Sequence, residues 1–406
     1  MRAFIFYILL LPSVLSAQVS MDDFLWSALE APAIKVFDNQ NTFLQTNPYK
    51  LSMIRGMQFR TESNQLDTER QDYALRLTPA NPWEVKRNNQ YFQTYQEVTQ
   101  LDRQRDLKKI LKSHYEAIID WAYLEEQKKI KEEEKKIAQT QIKILEAQRF
   151  SNFFDANDYV ELKIDQLEKV VALEELYFEE DAQRSKIETL YPSAKNQTIS
   201  WNLSKLISID KIQQSIEYPQ FASESGEVAY RQKQIELAQS EWALEKSNIN
   251  FGYLQAQYQQ YRIDQNRSPW SIGLGVTIPI FNPNKGDMTK RKLEMIEAEG
   301  DLANAKLEQQ EGRELMKKKV KTLTARYYNL QSQLDSLNVE ALASNLQQMT
   351  DSNPMVLVRL KSSLIKSRNI EALLRKEIYL AYIEYLAYAE ILQQQPLINY
   401  LSSELK

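Results

Sequence analysis

The chain has 406 residues, 43% of them hydrophobic and 26% charged, with a net charge of −4 and no cysteine. A balance this near neutrality gives no reason to expect nucleic acid as a partner. The absence of thiols excludes a disulfide framework, thiolate zinc sites and a lipid-anchored amino-terminal cysteine. Only 8 glycines interrupt long segments of Leu, Glu, Gln, Lys and Ala, which is the composition of a mostly helical protein.

Met1 to Ala17 places Arg2 ahead of an apolar run from Ala3 to Leu11 and ends on the small residues Ser16 and Ala17. It reads as a secretory signal peptide cleaved near Ala17. The competing reading, a membrane anchor, has a short run interrupted by Pro12, and no other window reaches the ~18 apolar residues of a spanning helix. The mature chain is therefore expected to be exported, and to enter a membrane, if at all, by strands.

Met21 to about Thr46 has helical spacing, with Phe24, Leu25, Ala28 and Leu29 on one side and Pro32 interrupting. Two strand-like runs follow, Leu51 to Thr61 and Gln71 to Thr78, closed by Pro79-Ala-Asn-Pro82. In the first run Arg55 shares a parity with Leu51, Met53, Met57 and Phe59. If this hairpin crosses a bilayer, either the strand is shifted so that Arg55 lies at its rim or the hairpin does not span. In the second run Tyr73, Leu75 and Leu77 share one parity and Ala74, Arg76 and Thr78 the other.

From Glu84 to Arg149 the pattern is helical, with a stripe of Leu107, Ile110, Leu111, Ile118 and Ala122. It narrows to Ile130, Ile137 and Ile144 at the seven-residue spacing of supercoiled helices. The break Phe150 to Asp158 leads into a return helix carrying Val160, Ile164, Leu167 and Val171 and ending near Leu190. Together the two make an antiparallel helical hairpin.

After a polar connection the design restarts at Tyr218-Pro219. A helix over Glu227 to Lys246 is followed by a strand over Asn248 to Tyr258, and then by a second strand in which Trp270, Ile272, Leu274, Val276, Ile278 and Ile280 alternate with Ser271, Gly273, Gly275, Thr277 and Pro279. That apolar face is about as long as a strand crossing a bilayer, opposite a small-residue face suited to a barrel lumen. Phe281 to Gly286 punctuates, and Asp287 is placed to cap the helix that runs to about Gln348. A break at Met349 to Pro354 and a return helix ending near Pro396 complete the second half. Landmarks pair across the halves: Pro32 with Pro219, Asn81-Pro82 with Asn282-Pro283, and Pro192 with Pro396. The chain is thus read as a leader at 1–17 and a duplicated unit. The first copy, 18–218, contains a helix, a β-hairpin at 51–78, a helical hairpin at 84–190 and a connector. The second, 219–406, contains a helix, a β-hairpin at 248–281 and a helical hairpin at 287–395.

The run Gly-Leu-Gly-Val-Thr-Ile-Pro-Ile-Phe-Asn, the turn at Gly286 and the Ala/Glu-rich helix after it resemble the second membrane hairpin of the TolC-like outer-membrane efflux family and its exit into the helical tunnel. The order of segments matches over most of the mature chain. The resemblance implies a mainly α fold in which long antiparallel helical hairpins form an α-barrel and four strands per chain contribute to a trimeric transmembrane β-barrel. Four strands are too few to close alone, so closure needs other copies; the resemblance implies three. It further implies partnership with a periplasmic adaptor protein, an inner-membrane pump and outer-membrane lipid, with no cofactor.

The residues offer no constellation for catalysis. The sole histidine, His114, sits between Leu111 and Ile118 on the helix stripe, the place of a packing residue. Glu125, Glu126 and Glu132 to Glu134 are interleaved with lysines as on a solvated helix face. Acids at the two helical breaks are candidates for a tunnel constriction: Asp155 and Asp158 in the first, Asp351 in the second. In the resembled family the hairpin tips constrict the tunnel, and threefold repetition would set three copies of one Asp around an axis as a cation filter. The competing reading is helix capping. On these grounds the chain is expected to be a passive exit duct for efflux or secretion. A soluble periplasmic coiled-coil interaction protein is the alternative, and the six-residue apolar strand face counts against it.

Overall fold

A computed structural model describes residues 18–47, 51–63, 71–150, 154–217, 226–247, 252–260, 268–277, 285–337, 341, 344 and 354–403. The expected leader, Asp351, Ile278 and Ile280 lie outside them.

The elements in chain order are β1 (Gln18–Val19), α1 (Met21–Trp26), α2 (Pro32–Thr46), β2 (Ile54–Ser63), β3 (Gln71–Pro79), α3 (Pro82–Ala147), α4 (Ala156–Leu190), β4 (Thr198–Ile199), α5 (Ile209–Glu217), α6 (Gly226–Ser247), β5 (Gly252–Gln259), β6 (Trp270–Val276), α7 (Lys285–Ser336) and α8 (Pro354–Tyr388). Helices dominate, as the composition requires. The 66-residue α3 has its only proline at its first position, where the missing N–H costs nothing.

The chain divides into two compact units, each assembled from separate stretches. One comprises Met1–Ala31, Leu107–Ala222 and Glu311–Lys406, and the other Pro32–Asp106 and Ser223–Gln310. Each draws on both halves of the sequence.

The first unit holds the hydrophobic core. Tyr115, Ile118, Trp121 and Ala122 of α3, Ile209, Ile212 and Ile216 of α5, and Ile378, Tyr379, Tyr382, Tyr385 and Leu386 of α8 are buried together with Phe24 and Trp201. Its polar groups are tied to backbone, as burial demands. Trp201 Nε1 donates to the Val19 carbonyl at 3.0 Å, Tyr115 Oη to Ile398 at 2.8 Å and Tyr379 Oη to Ile207 at 2.9 Å. His114 packs against Phe24 with ring centroids 4.7 Å apart, and its Nδ1 lies 2.8 Å from the Ile110 carbonyl, so it is a packing residue as expected.

Two stripes depart from expectation. In α3 the fully buried seam runs through Ala138, Ile142 and Leu145, while Ile137 and Ile144 are half-buried on its flank. A straight helix drifts against a strict seven-residue repeat, and the buried set moves with it. In α4, Val160, Ile164, Leu167 and Val171 are exposed, and only Leu173 and Ile187 are buried. This apolar stripe is left uncovered by the described residues of the chain.

The second unit is built on a four-stranded antiparallel sheet of order β2-β3-β5-β6, with α2, α6 and the adjoining parts of α3 and α7. Asn81 fixes one helix–strand junction: its Oδ1 accepts from the Trp83 N–H at 3.0 Å, and its Nδ2 donates to the Ser247 carbonyl at 2.7 Å.

Candidate functional site

Strand alternation sorts the sheet into two chemically opposite faces. The pairing places Met57, Leu77, Leu254 and Leu274 in one cross-strand row and Phe59, Leu75, Ala256 and Ile272 in the next. Thr61, Tyr73, Tyr258 and Trp270 form a third row. This face is apolar across all four strands and uncovered: Met57 is 69% exposed, Phe59 68%, Ile272 81% and Leu274 74%. The third row is largely aromatic, with Tyr258 and Trp270 centroids 4.9 Å apart, and its Tyr73 stacks on Phe59 of the second row at 6.2 Å. An open apolar band with an aromatic row has the composition of a lipid-facing strand surface, and an exposed apolar patch on a single chain marks a contact surface.

The opposite face carries Gln58, Arg60, Asp72, Ala74, Arg76, Gln255, Gln257, Ser271 and Gly273. Arg76 is locked there: its Nε and Nη2 donate to Gln255 Oε1 at 3.0 and 2.8 Å, and its guanidinium lies 3.9 Å from the Tyr253 ring centroid. Tyr253 in turn occupies the space over Gly275, where an added Cβ would come within 2.4 Å of the ring.

Arg55 does not keep the parity that alternation assigns to it. Ile54 pairs with Pro79 and Gly56 with Thr78, so the register shifts between them and Arg55 is the extra residue of a bulge. Its guanidinium lies 3.8 Å from Glu84 in the first turn of α3, at the end of the strand. Ile54, opposite Pro79, takes the apolar-face position instead.

At the first helical break Asp155 is the N-cap of α4, accepting from the N–H groups of Asn157 at 2.7 Å and Asp158 at 3.3 Å. The cap is thus Asp155. Asp158 instead meets Arg359 of α8 at 3.3 Å, beside a pocket of about 230 Å3 lined also by Gln141, Glu161, Asp165 and Met355. Among the described residues no group of His, Asp and Glu is arranged to hold a metal ion.

This architecture is shared with solved structures over most of their length. The outer membrane protein VceC of Vibrio cholerae superposes with a TM-score of 0.63 at 12% identity, covering 91% of this chain and 96% of that one. The open-state MtrE outer membrane channel of Neisseria gonorrhoeae gives 0.63 at 11%, covering 95% and 90%. The CmeC outer membrane channel of Campylobacter jejuni gives 0.65 at 10%, covering 95% and 87%. The chain has the TolC-like outer-membrane-channel fold. No family model matches the sequence, and no curated protein matches it, so the likeness lies in structure and not in residue identity.

Within this TolC-like fold, Trp270, Ile272, Leu274 and Val276 stand on the apolar face that the sequence assigns to them. The Arg76–Gln255–Tyr253 assembly escaped the sequence reading, because its partners lie 179 residues apart and no local pattern links them. The pairing of Gly275 with a Tyr on the neighbouring strand is the one signal that could have pointed to it.

Proposed function

We propose that this chain is one protomer of a homotrimeric channel in the outer membrane, extending into the periplasm and serving as the passive exit duct of a tripartite efflux or type I secretion system. The uncovered apolar face of the four-stranded sheet carries this reading. In water that face would drive aggregation, whereas in lipid it is the favoured surface of a strand wall, provided the edge strands β2 and β6 find partners. Three copies supply them and give twelve strands. The exposed Val160, Ile164, Leu167 and Val171 stripe on α4 supports the same assembly, since heptad-spaced apolar residues uncovered in one chain are the seam for a helix of another. The protein itself performs no chemistry in this reading. A pump in the inner membrane, joined by a periplasmic adaptor, supplies the energy.

The test is assembly. The mature chain should fractionate with outer membranes and run as a trimer in detergent by light scattering. A monomer at micromolar concentration, or recovery in the soluble periplasmic fraction, contradicts the proposal.

In this channel Asp351 of the second break, with Asp155 and Asp158 of the first, belongs to the tunnel constriction. Three copies of Asp351 around a narrow axis concentrate negative potential where polyvalent cations bind. Asp351→Asn should then weaken block of single-channel current by a trivalent cation. Asp155→Asn, which retains a capping side chain, should alter it less. Unchanged block in Asp351→Asn trimers removes Asp351 from the constriction.

A further inference from the structure

In the second unit, Trp242 near the end of α6 and Lys285, Met288, Thr289, Lys292 and Leu293 in the first turns of α7 line a groove of about 520 Å3. That volume falls within the range of sites that hold a small amphipathic molecule. Its wall is divided between apolar Trp242, Met288 and Leu293 and cationic Lys285 and Lys292. Lys246 adds a third cation, its Nζ 5.3 Å from the Trp242 ring centroid.

The two groove lysines are not neutralised by ion pairs among the described residues. Glu241, beside Trp242 on α6, and Glu294, two residues past Lys292 on α7, are both held by Arg291 at 2.8 and 2.9 Å. Glu245 and Asp287 do not line the groove. Among the described residues Lys292 Nζ donates to the Met295 sulfur, at 3.8 Å.

The position of the groove is informative. α6 ends at Ser247 just before β5 begins at Gly252, and α7 follows β6, so the lining residues belong to the helix turns joined to one end of the sheet. That is the end where Ile54, Pro79 and Val276 terminate the apolar face, opposite the Tyr73, Tyr258 and Trp270 row. When the sheet crosses a bilayer, these turns stand at headgroup depth, where Trp and Lys are the favoured side chains.

We propose that this groove binds an anionic phospholipid, its phosphate between Lys285 and Lys292 and its first acyl methylenes on Trp242, Met288 and Leu293. Free phosphate would need only the lysines and a second copy of the chain only the apolar wall. A lipid uses both, and the helix turns that line the groove are joined to the end of the sheet. The inference rests on the reading of that sheet as membrane-spanning.

The full mature chain, purified in detergent and stripped of lipid, should be titrated by native mass spectrometry with phosphatidylglycerol and with phosphatidylcholine of the same acyl chains. Wild type should take up phosphatidylglycerol in preference, about one tightly bound molecule per chain. Lys285→Gln with Lys292→Gln should weaken that uptake about tenfold or more, while Lys285→Arg with Lys292→Arg retains it. Equal uptake by wild type and the Gln variant overturns the proposal. Displacement of the lipid by millimolar inorganic phosphate would assign the site to free phosphate. Loss of the trimer in Trp242→Ala with lipid uptake intact would assign it to a second copy. Either result also overturns the proposal. A wild-type chain that stays monomeric would sink the channel reading instead, and the same titration on the monomer still reads the groove.

Discussion

One absent side chain shapes the polar face of the sheet. Gly275 leaves room for the Tyr253 ring, the ring seats the Arg76 guanidinium, and Gln255 Oε1 accepts from two of its three nitrogens. His114 shows the opposite case, a polar group carried into the core. Burial holds its imidazole below the ordinary value of 6.5, against the hydrogen bond to Ile110 that favours the charged form. Between the lowered folded value and 6.5 the unfolded chain binds the proton more readily, so stability falls as pH drops below about 6.5. His114→Gln should flatten that acid-side slope in denaturant midpoints measured between about pH 7 and 5.5; an undiminished slope would place the proton elsewhere. The burial of His114 was legible from its neighbours Leu111 and Ile118. The escape of Arg55 was not, because a bulge is set by pairing with β3 and leaves no mark on the alternation of β2 itself.

At the level of elements, the strands were the most legible parts of the chain. Period-two alternation in Trp270 to Val276 fixed both the existence of β6 and the side it presents, because the face is apolar at every second position. Helix existence was equally plain, but helix partnership was not. Val160, Ile164, Leu167 and Val171 declare an apolar seam without declaring whose helix fills it, and among the described residues of one chain the seam is uncovered. The sheet assignment makes an asymmetric prediction. Leu274→Arg puts a charge on the apolar face and should cost about 2–4 kcal/mol per copy if the residue sits near the bilayer midplane, reducing the trimer recovered from membranes. Ser271→Arg, on the polar face of the same strand, should assemble as wild type. Equal loss in both would remove the facial assignment.

For the whole molecule, the two compact units each draw segments from both halves of the sequence, so they do not coincide with the two copies that the sequence is read as containing. The order of segments was enough to anticipate the TolC-like fold, although identity to the solved channels is only 10–12%. The central claim is that the apolar sheet face meets lipid while the polar face meets water. The absence of native cysteine allows it to be measured on single-cysteine variants at Ser271, Ile272, Gly273 and Leu274, labelled in intact outer membranes with a water-soluble maleimide. Labelling at positions 271 and 273, with 272 and 274 protected until detergent is added, is the predicted pattern; labelling of all four positions alike before detergent would contradict it.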